Sequence, residues 1–552
     1  MAQISFPSQL KRLTERHPKP ANYRFSYGTA GFRTNGSLLD SVLFRVGVLA
    51  GLRSKRLEGK TVGIMITASH NPEEDNGVKI VDPYGEMLEA DWEIYATALA
   101  NAPNTEMFIG FLDTIVCDQK IDLFQASKVV YARDTRPSGL LLVNALRDGL
   151  DAIGAIGRDE GICTTPILHY IVRCINTAGT RENYGEASAE GYYKKLSDAY
   201  RVLVEHQPTP PKLVVDCANG VGALALQQLA QHLFPILEFS SVNTDTENSS
   251  LLNHDCGADY VKTRQIWAPN VGNLIADGER GCALDGDADR LVYFYRDRGH
   301  FRLLDGDKIA ALASIFITQL IEQSGLDTEK IYVGVVQTAY ANGSSTKFYE
   351  TRKLALECVP TGVKHLHHVA ERFPIGIYFE ANGHGTVLFS QPVLDAIYER
   401  EPISPTQAAA LRYLKALANM INQAVGDALS DMLMVEAILA HMKFGPVEWD
   451  SLYLELPNRL VKIIVPDRSI FRTEDAERRL VSPSELQERM DDITFQYPQG
   501  RAFVRPSGTE DCVRLYAEST HRYQTDEMAY RLAGLIYDEV GGDPATRPPE
   551  FL

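Results

Sequence analysis

Three aspartates at alternate positions, Asp285, Asp287 and Asp289, stand in Leu284-Asp-Gly-Asp-Ala-Asp-Arg290 between two apolar runs. Carboxylates at i, i+2 and i+4 on a loop can converge on one hard cation. Mg²⁺ accepts so few protein oxygens when a phosphate completes its shell. An EF-hand is excluded, because the sixth residue is Arg290 rather than Gly and the twelfth is Arg296 rather than Glu. A solvated acidic turn is the plainer alternative, but three acids wedged between apolar strands repel one another without a counter-ion.

Three more loops carry chemistry. Ser69, in Thr67-Ala-Ser-His-Asn-Pro72, directly follows a strand-like run, where α/β proteins expose ligand-binding side chains. Its hydroxyl is a nucleophile only beside a base or a charge-stabilising partner. His70 is adjacent and Lys79 lies beyond the Asn76-Gly77 turn; a plain Ser/Asn/Pro turn fits the composition equally well. In Tyr378-Phe-Glu-Ala-Asn-Gly-His-Gly-Thr386, Glu380, Asn382 and His384 alternate. At a strand end, that spacing turns side chains of one parity the same way. Carboxylate, amide and imidazole suit sugar hydroxyls, and a Gly-rich hairpin is the alternative. Arg505-Pro-Ser-Gly-Thr-Glu510, followed by Arg514, offers the Ser507 and Thr509 hydroxyls, the Gly508 amide and two guanidinium groups as a phosphate cradle. It lacks the Gly-Lys-Ser/Thr of a Walker loop, and an exposed basic turn is its alternative reading.

These loops are far apart in sequence, so one site demands several domains. A chain of 552 residues is long enough for three to four of them, at roughly 150 residues each. Strand-like runs at Thr61–Thr67, Lys128–Arg133, Lys212–Asp216, Leu291–Tyr295, Ile331–Val336 and Val387–Phe389 are β-branched and nearly continuous. Such runs fit strands covered on both faces. Helical stretches such as Ala223–Leu233 and Lys308–Glu322 alternate with them, which predicts α/β domains with mixed or parallel sheets. A final helix over Asp526–Val540 and a frayed Pro-rich tail are expected.

Composition sets limits rather than a function. An apolar share of 45% with 23% charged residues excludes global disorder. The net charge of −17 argues against nucleic-acid or anionic-membrane partners, but not against a small phosphorylated substrate. The N-terminus has no apolar signal core, and the run Ile309–Ile321 is too short to span a bilayer. Eight scattered cysteines without a C-x-x-C pair read as reduced thiols, so a cytoplasmic location is expected.

Taken in order, the four loops resemble those of the α-D-phosphohexomutase superfamily. Further matching stretches are Tyr27-Gly-Thr-Ala-Gly-Phe-Arg33, Arg133-Asp-Thr-Arg136, Thr164-Thr-Pro-Ile-Leu-His-Tyr170, Val215-Asp-Cys-Ala-Asn-Gly-Val-Gly222 and Cys256-Gly-Ala-Asp-Tyr-Val-Lys262. The resemblance covers essentially the whole chain. It implies a four-domain phosphohexomutase architecture around a central cleft, with three related α/β domains and a smaller C-terminal α+β domain. The expected bounds are 1–178 with the phosphoserine loop, 179–298 with the metal loop, 299–440 with the sugar loop and 441–552 with the phosphate loop.

The same resemblance implies that Ser69 is the phosphorylated serine and that Asp285, Asp287 and Asp289 bind Mg²⁺ with a phosphoserine oxygen. Arg505, Ser507, Gly508, Thr509 and Arg514 would hold the substrate's non-reacting phosphate. Glu380 and Asn382 would contact the sugar, with His384 in the same loop. His70, Lys79 and Arg33 are the candidates for acid–base and charge-neutralising roles, and His365 is a further candidate sugar contact. Hexose-phosphate members usually read Gly-Glu-Met-Ser-Gly-His where this chain reads Phe-Glu-Ala-Asn-Gly-His. That departure favours an N-acetylated substrate. The implied reaction interconverts N-acetylglucosamine 6- and 1-phosphates, with a sugar 1,6-bisphosphate as intermediate and activator, and supplies UDP-N-acetylglucosamine synthesis. A monomer suffices, since one chain builds the cleft. Rival readings are a phosphatase, a dinucleotide enzyme using Gly220-Val-Gly-Ala-Leu-Ala225, and a cation-dependent sugar-binding protein.

Overall fold

The computed structural model describes residues 9–507, 512–540 and 547–552. The chain groups into two compact units. One comprises Met1–Asp305, Asn382–Leu388 and Ala408–Pro446; the other comprises Gly306–Ala381, Phe389–Gln407 and Val447–Leu552.

The first unit contains two five-stranded mixed sheets. In one, β1 (Phe32–Asn35), β2 (Thr61–Ile66), β3 (Asp75–Val81), β4 (Lys128–Arg133) and β5 (Ile156–Ile162) take the order β1-β3-β2-β4-β5. β3 runs antiparallel to β1 and β2, while β2, β4 and β5 are parallel. The second sheet has β6 (Leu213–Asp216), β7 (Phe239–Val242), β8 (Arg280–Leu284), β9 (Leu291–Asp297) and β10 (His300–Leu304) in the order β10-β9-β8-β6-β7. Across it the neighbours run antiparallel, antiparallel, parallel and parallel, the same sequence of directions as in the first.

β2 is buried at all six positions, as its unbroken Thr-Val-Gly-Ile-Met-Ile requires. The helix Asp40–Arg56 covers this sheet and crosses Gly139–Ile153 closely. A Cβ on Gly149 would lie 2.0 Å from the Phe44 carbonyl oxygen, so only glycine permits that approach. The helix Ala428–Met442 is buried from Ala428 to Leu439 and is tied to β8 by the Arg280–Glu436 ion pair.

In the second unit, β12 (Ala355–Val359), β11 (Val333–Thr338) and β13 (Ile375–Phe379) lie side by side in parallel. The helices Gly306–Ser324, Gly343–Thr351 and Val363–Ala370 accompany them. An antiparallel sheet follows, in which Cys512–Glu518 lies between Asn458–Ile464 and Arg501–Pro506. A hairpin (Arg472–Glu474 with Arg479–Ser482) and the helices Ser484–Thr494 and Arg522–Glu539 complete it.

Three expectations shift. The strand expected at Ile331–Val336 is β11, starting at Val333, because Ile331 N–H is spent on the Asp327 carbonyl in a turn. The last helix begins at Arg522, four residues before the expected start at Asp526. The described end of the tail is packed rather than frayed. Phe551 is buried against Tyr537, and Arg547 pairs with Asp538 at 3.1 Å. Burial of the aromatic ring outweighs the Pro-rich composition there. Among the described residues, no helix is long and apolar enough to cross a membrane.

Candidate active site

The carboxyl end of β2 delivers Ser69, and the β8–β9 connection delivers the aspartates. Ser69 has a left-handed backbone, φ 53°, and is 1% exposed. Its amide donates to Thr67 Oγ1 at 2.9 Å, and Thr67 Oγ1 in turn donates to Asp134 at 2.7 Å. Its carbonyl accepts from Arg136 and from Asn253, each at 2.9 Å. Backbone contacts on both sides therefore fix the hydroxyl. Ser69 Oγ donates to Asp285 Oδ2 at 2.6 Å, which joins the two sheets of this unit at one atom pair. Gly286 is needed for that approach, since a Cβ there would fall 2.5 Å from the Ser69 carbonyl oxygen.

The three aspartates are at most 2% exposed, and one oxygen from each lies within 4.8 Å of the others. Asp285 Oδ1 accepts from the amides of Asp289 and Arg290, at 3.0 and 3.1 Å. Asp287 Oδ2 accepts from Thr165 Oγ1 at 2.6 Å, while its Oδ1 is buried with no hydrogen-bond partner. Hard oxygens only, with Asp287 Oδ1 and Asp289 Oδ1 both buried without a hydrogen-bond partner, fit a small divalent cation.

Positive charge rings this cluster. Lys79 Nζ lies 3.2 Å from Asp289 and 3.5 Å from Asp287, and Arg290 Nε lies 3.8 Å from both Asp285 and Asp289. Burial would lower the Lys79 pKa, but Asp289 and Asp287 hold it above its ordinary value. Burial, with Asp289 and Asp287 alongside, pushes the Asp285 carboxyl well up. Burial would raise Asp289 too, yet His384, Lys79 and Arg290 hold it well below the usual carboxylate range. Burial, then Arg290 and Arg33, drive His70 down to about 2, so its ring is neutral and its Nδ1 is buried without a partner. Burial, then Arg290, lowers Arg33, which donates to Asn71 at 3.3 Å.

The sugar-loop expectation needs correcting in its geometry. Residues 380–384 form a turn with Gly383 at φ 87°, so strand parity does not align Glu380, Asn382 and His384. Asn382 Oδ1 accepts from the His384 amide at 3.0 Å, and His384 Nδ1 stands 3.3 Å from Asp289 Oδ1. His384 is thus placed against Asp289. In the other unit, the Glu380 carbonyl packs where a Cβ on Gly306 would be 1.9 Å away.

Arg505 and Arg514 are cross-strand partners, and Lys462 lies opposite Arg514 on its other side. Like charges in register are destabilising on their own, and Glu477, 3.7 Å from Arg505, offsets part of that charge. The Ser507 amide donates to the Cys512 carbonyl at 2.9 Å. Gly508 and Thr509 lie outside the described residues.

Sequence reasoning gave no role to Thr165, Arg136, Asn253 or Arg290. Thr165 and Arg136 stand in stretches that carried the resemblance, whereas Asn253 had no local signal at all.

Family models match successive parts of the chain. They are phosphoglucomutase/phosphomannomutase α/β/α domain I at 53–105 and phosphoacetylglucosamine mutase AMG1 domain II at 178–292. Domain III of the latter matches at 305–444, and the phosphoglucomutase/phosphomannomutase C-terminal domain at 460–535. The chain is similar to phosphoacetylglucosamine mutase of Candida albicans, 46% identical over 97% of this chain and 100% of that one. It is likewise similar to the Homo sapiens protein of that name, 47% identical over 98% and 99%. A crystal structure of Aspergillus fumigatus N-acetylphosphoglucosamine mutase with GlcNAc-6P and magnesium superposes with a TM-score of 0.93 and 49% identity, covering 97% and 100%. A serine-to-alanine form of that enzyme with glucose 1,6-bisphosphate gives 0.92 and 50%, covering 96% and 98%.

Proposed function

The chain belongs to the phosphoacetylglucosamine mutase family, with its four-domain α-D-phosphohexomutase architecture, and we propose that Ser69 is its phosphoryl carrier. The reaction interconverts N-acetylglucosamine 6-phosphate and N-acetylglucosamine 1-phosphate, an isomerisation by phosphoryl transfer through a bound 1,6-bisphosphate. The observation that carries the assignment is the buried Ser69 Oγ to Asp285 Oδ2 contact of 2.6 Å inside a three-carboxylate cluster.

In the forward step, the free sugar hydroxyl attacks the phosphorus on Ser69. Its O–P bond forms as the P–Oγ bond breaks, and its proton leaves. His70, neutral and with Nδ1 unpartnered, is our candidate acceptor of that proton. Burial is the larger cause of the low His70 pKa, and a phosphoryl dianion on Ser69 would offset the share due to Arg290 and Arg33. Lys79 and Arg33 carry positive charge to the same place and neutralise the transferring group. Mg²⁺ held by Asp285, Asp287, Asp289 and a phosphoserine oxygen would supply further charge neutralisation there. The second half-reaction returns the other phosphate of the bisphosphate to Ser69.

Arg505, Ser507, Gly508, Thr509 and Arg514 are our candidates for holding the non-reacting phosphate, and Glu380 and Asn382 for contacting the sugar. We assign His384 to bracing Asp289 as well as to the sugar loop, given the 3.3 Å separation. Domain bounds of 1–178, 179–298, 299–440 and 441–552 are our reading, supported by where the family models fall. We also place the protein in the cytoplasm as a monomer. Its eight cysteines are all free thiols, as a reducing compartment maintains them, and light scattering would test the mass.

The test is an assay of both N-acetylglucosamine phosphates with Mg²⁺ and catalytic sugar bisphosphate, beside glucose 1-phosphate as competitor substrate. Interconversion with conserved organic phosphate, and an intact mass carrying one phosphate on Ser69, are expected. Release of inorganic phosphate as the main product, or full activity of Ser69→Ala, would refute the assignment.

A further inference from the structure

The anion-binding sheet of the second unit carries an arginine whose orientation is set from outside its own strand. Arg505 Nε donates to Tyr340 Oη at 2.9 Å, and the guanidinium lies 5.3 Å from the centre of the same ring. On its other side, Arg505 faces Glu477 at 3.7 Å. Glu477 is in turn fixed by the Thr361 amide at 2.9 Å and the Thr361 hydroxyl at 2.5 Å. A guanidinium held at two edges has few rotamers left, so its remaining donors point one way.

Tyr340 is itself immobilised. Its ring meets Phe503 edge-on at 5.1 Å and Tyr516 at 5.8 Å, while those two rings stack at 5.3 Å. The flanking carbonyls are gripped from the C-terminal sheet: Arg501 donates to Ala339 at 2.9 Å and to Ala341 at 2.5 Å. Glu518 holds Arg501 at 2.7 Å and also accepts from the Gly343 amide at 3.1 Å. The loop after β11 is thus clamped in place, with the Tyr340 hydroxyl at its tip directed at one atom of Arg505. Burial raises the Tyr340 pKa, so the hydroxyl stays neutral.

We infer that Tyr340 is a positioning residue for substrate binding, presetting Arg505 for the non-reacting phosphate of the sugar. The inference rests on the proposed role of Arg505 as a phosphate holder. Tyr340 touches no phosphate in this role. It reduces the freedom that Arg505 would otherwise lose on binding, so its effect falls on affinity for every phosphosugar the enzyme accepts.

The experiment is steady-state kinetics of the full chain with N-acetylglucosamine 6-phosphate, Mg²⁺ and bisphosphate, for wild type, Tyr340→Phe, Arg505→Lys and the double variant. Phenylalanine keeps the ring contacts and removes the hydroxyl. KM should rise about tenfold in Tyr340→Phe with kcat changed less than about twofold, the pattern of lost uniform binding. On the Arg505→Lys background, which has no Nε, the same substitution should change KM less than about twofold. An unchanged KM in Tyr340→Phe, full additivity in the double variant, or a Tyr340→Phe chain that does not fold would each overturn the positioning role. If Arg505→Lys itself leaves KM unchanged, the phosphate assignment of Arg505 fails first and takes this inference with it.

Discussion

Thr165 Oγ1 donates to Asp287 Oδ2 across 2.6 Å, and the Thr165 amide reaches the Asp287 carbonyl at 3.2 Å. The first turn of the helix Thr165–Thr177 therefore grips a carboxylate 122 residues further along the chain. Such outer contacts orient metal ligands and typically account for 10- to 100-fold in metal affinity or activity. Thr165→Val keeps the shape and removes the donor. The Mg²⁺ concentration for half-maximal activity should rise about tenfold, and a titration curve superimposed on wild type would exclude the orienting role.

The aspartate cluster stores repulsion that a cation relieves. Asp287→Asn should therefore raise the melting temperature in chelator by about one degree, on the order of 1 kcal/mol, while activity falls by at least about a hundredfold. Mg²⁺ should raise the melting temperature of wild type and leave the variant almost unmoved. Differential scanning fluorimetry with and without Mg²⁺ reads both effects.

Arg280 and Glu436 form a buried ion pair, with Arg280 Nε on Oε1 at 2.9 Å and the Tyr293 hydroxyl on the same oxygen at 3.0 Å. Removing one partner strands the other in the interior. Glu436→Ala should cost about 3–5 kcal/mol in urea unfolding, and Arg280→Met/Glu436→Leu much less. Because Arg280 opens β8, which ends at the aspartate loop, the single variant should also raise the Mg²⁺ concentration needed for half-maximal activity.

Acidity should act on stability at His17. Its Nδ1 lies 2.8 Å from Asp40 and its Nε2 3.0 Å from Asp148, which also pairs with Arg16 at 3.1 Å. Burial would lower the His17 pKa, but the hydrogen bonds to both aspartates outweigh it and the value is raised. A raised folded pKa means stability that is fully present below the unfolded value near 6.5 and lost as pH climbs through the folded one. Melting temperature should accordingly fall as pH rises above about 6.5 in wild type, and His17→Gln should flatten that slope.

How much of this was legible depends on where the physics sits. That Ser69 and the three aspartates are candidates for one site is legible because their chemistry is concentrated in short loops flanked by apolar runs, and the fold brings them together. β2 and β4 were placed to within a residue because continuous β-branched runs leave little choice. Thr165 was not readable in function. Thr164-Thr-Pro is a helix start, with Thr164 capping the Ile167 amide at 3.3 Å, and nothing local shows that the next hydroxyl serves a distant carboxylate. Asn253 and Tyr340 are invisible for the same reason, since each acts through tertiary contact with another segment. The parity argument at Glu380–His384 failed because Gly383 turns the backbone, a choice open to glycine that alternation cannot register.

If Ser69 is the phosphoryl carrier, as proposed, the Ser69–Asp285 contact would change sign during turnover. With a free hydroxyl, Ser69 lends its proton to Asp285 and the pair attracts. Once the oxygen carries a phosphoryl group, that proton is gone and two anions face each other. Charging the serine and binding a cation between them are therefore thermodynamically linked: each favours the other by the same factor. At a fixed ratio of sugar bisphosphate to monophosphate, the fraction of chains phosphorylated should then rise with free cation concentration.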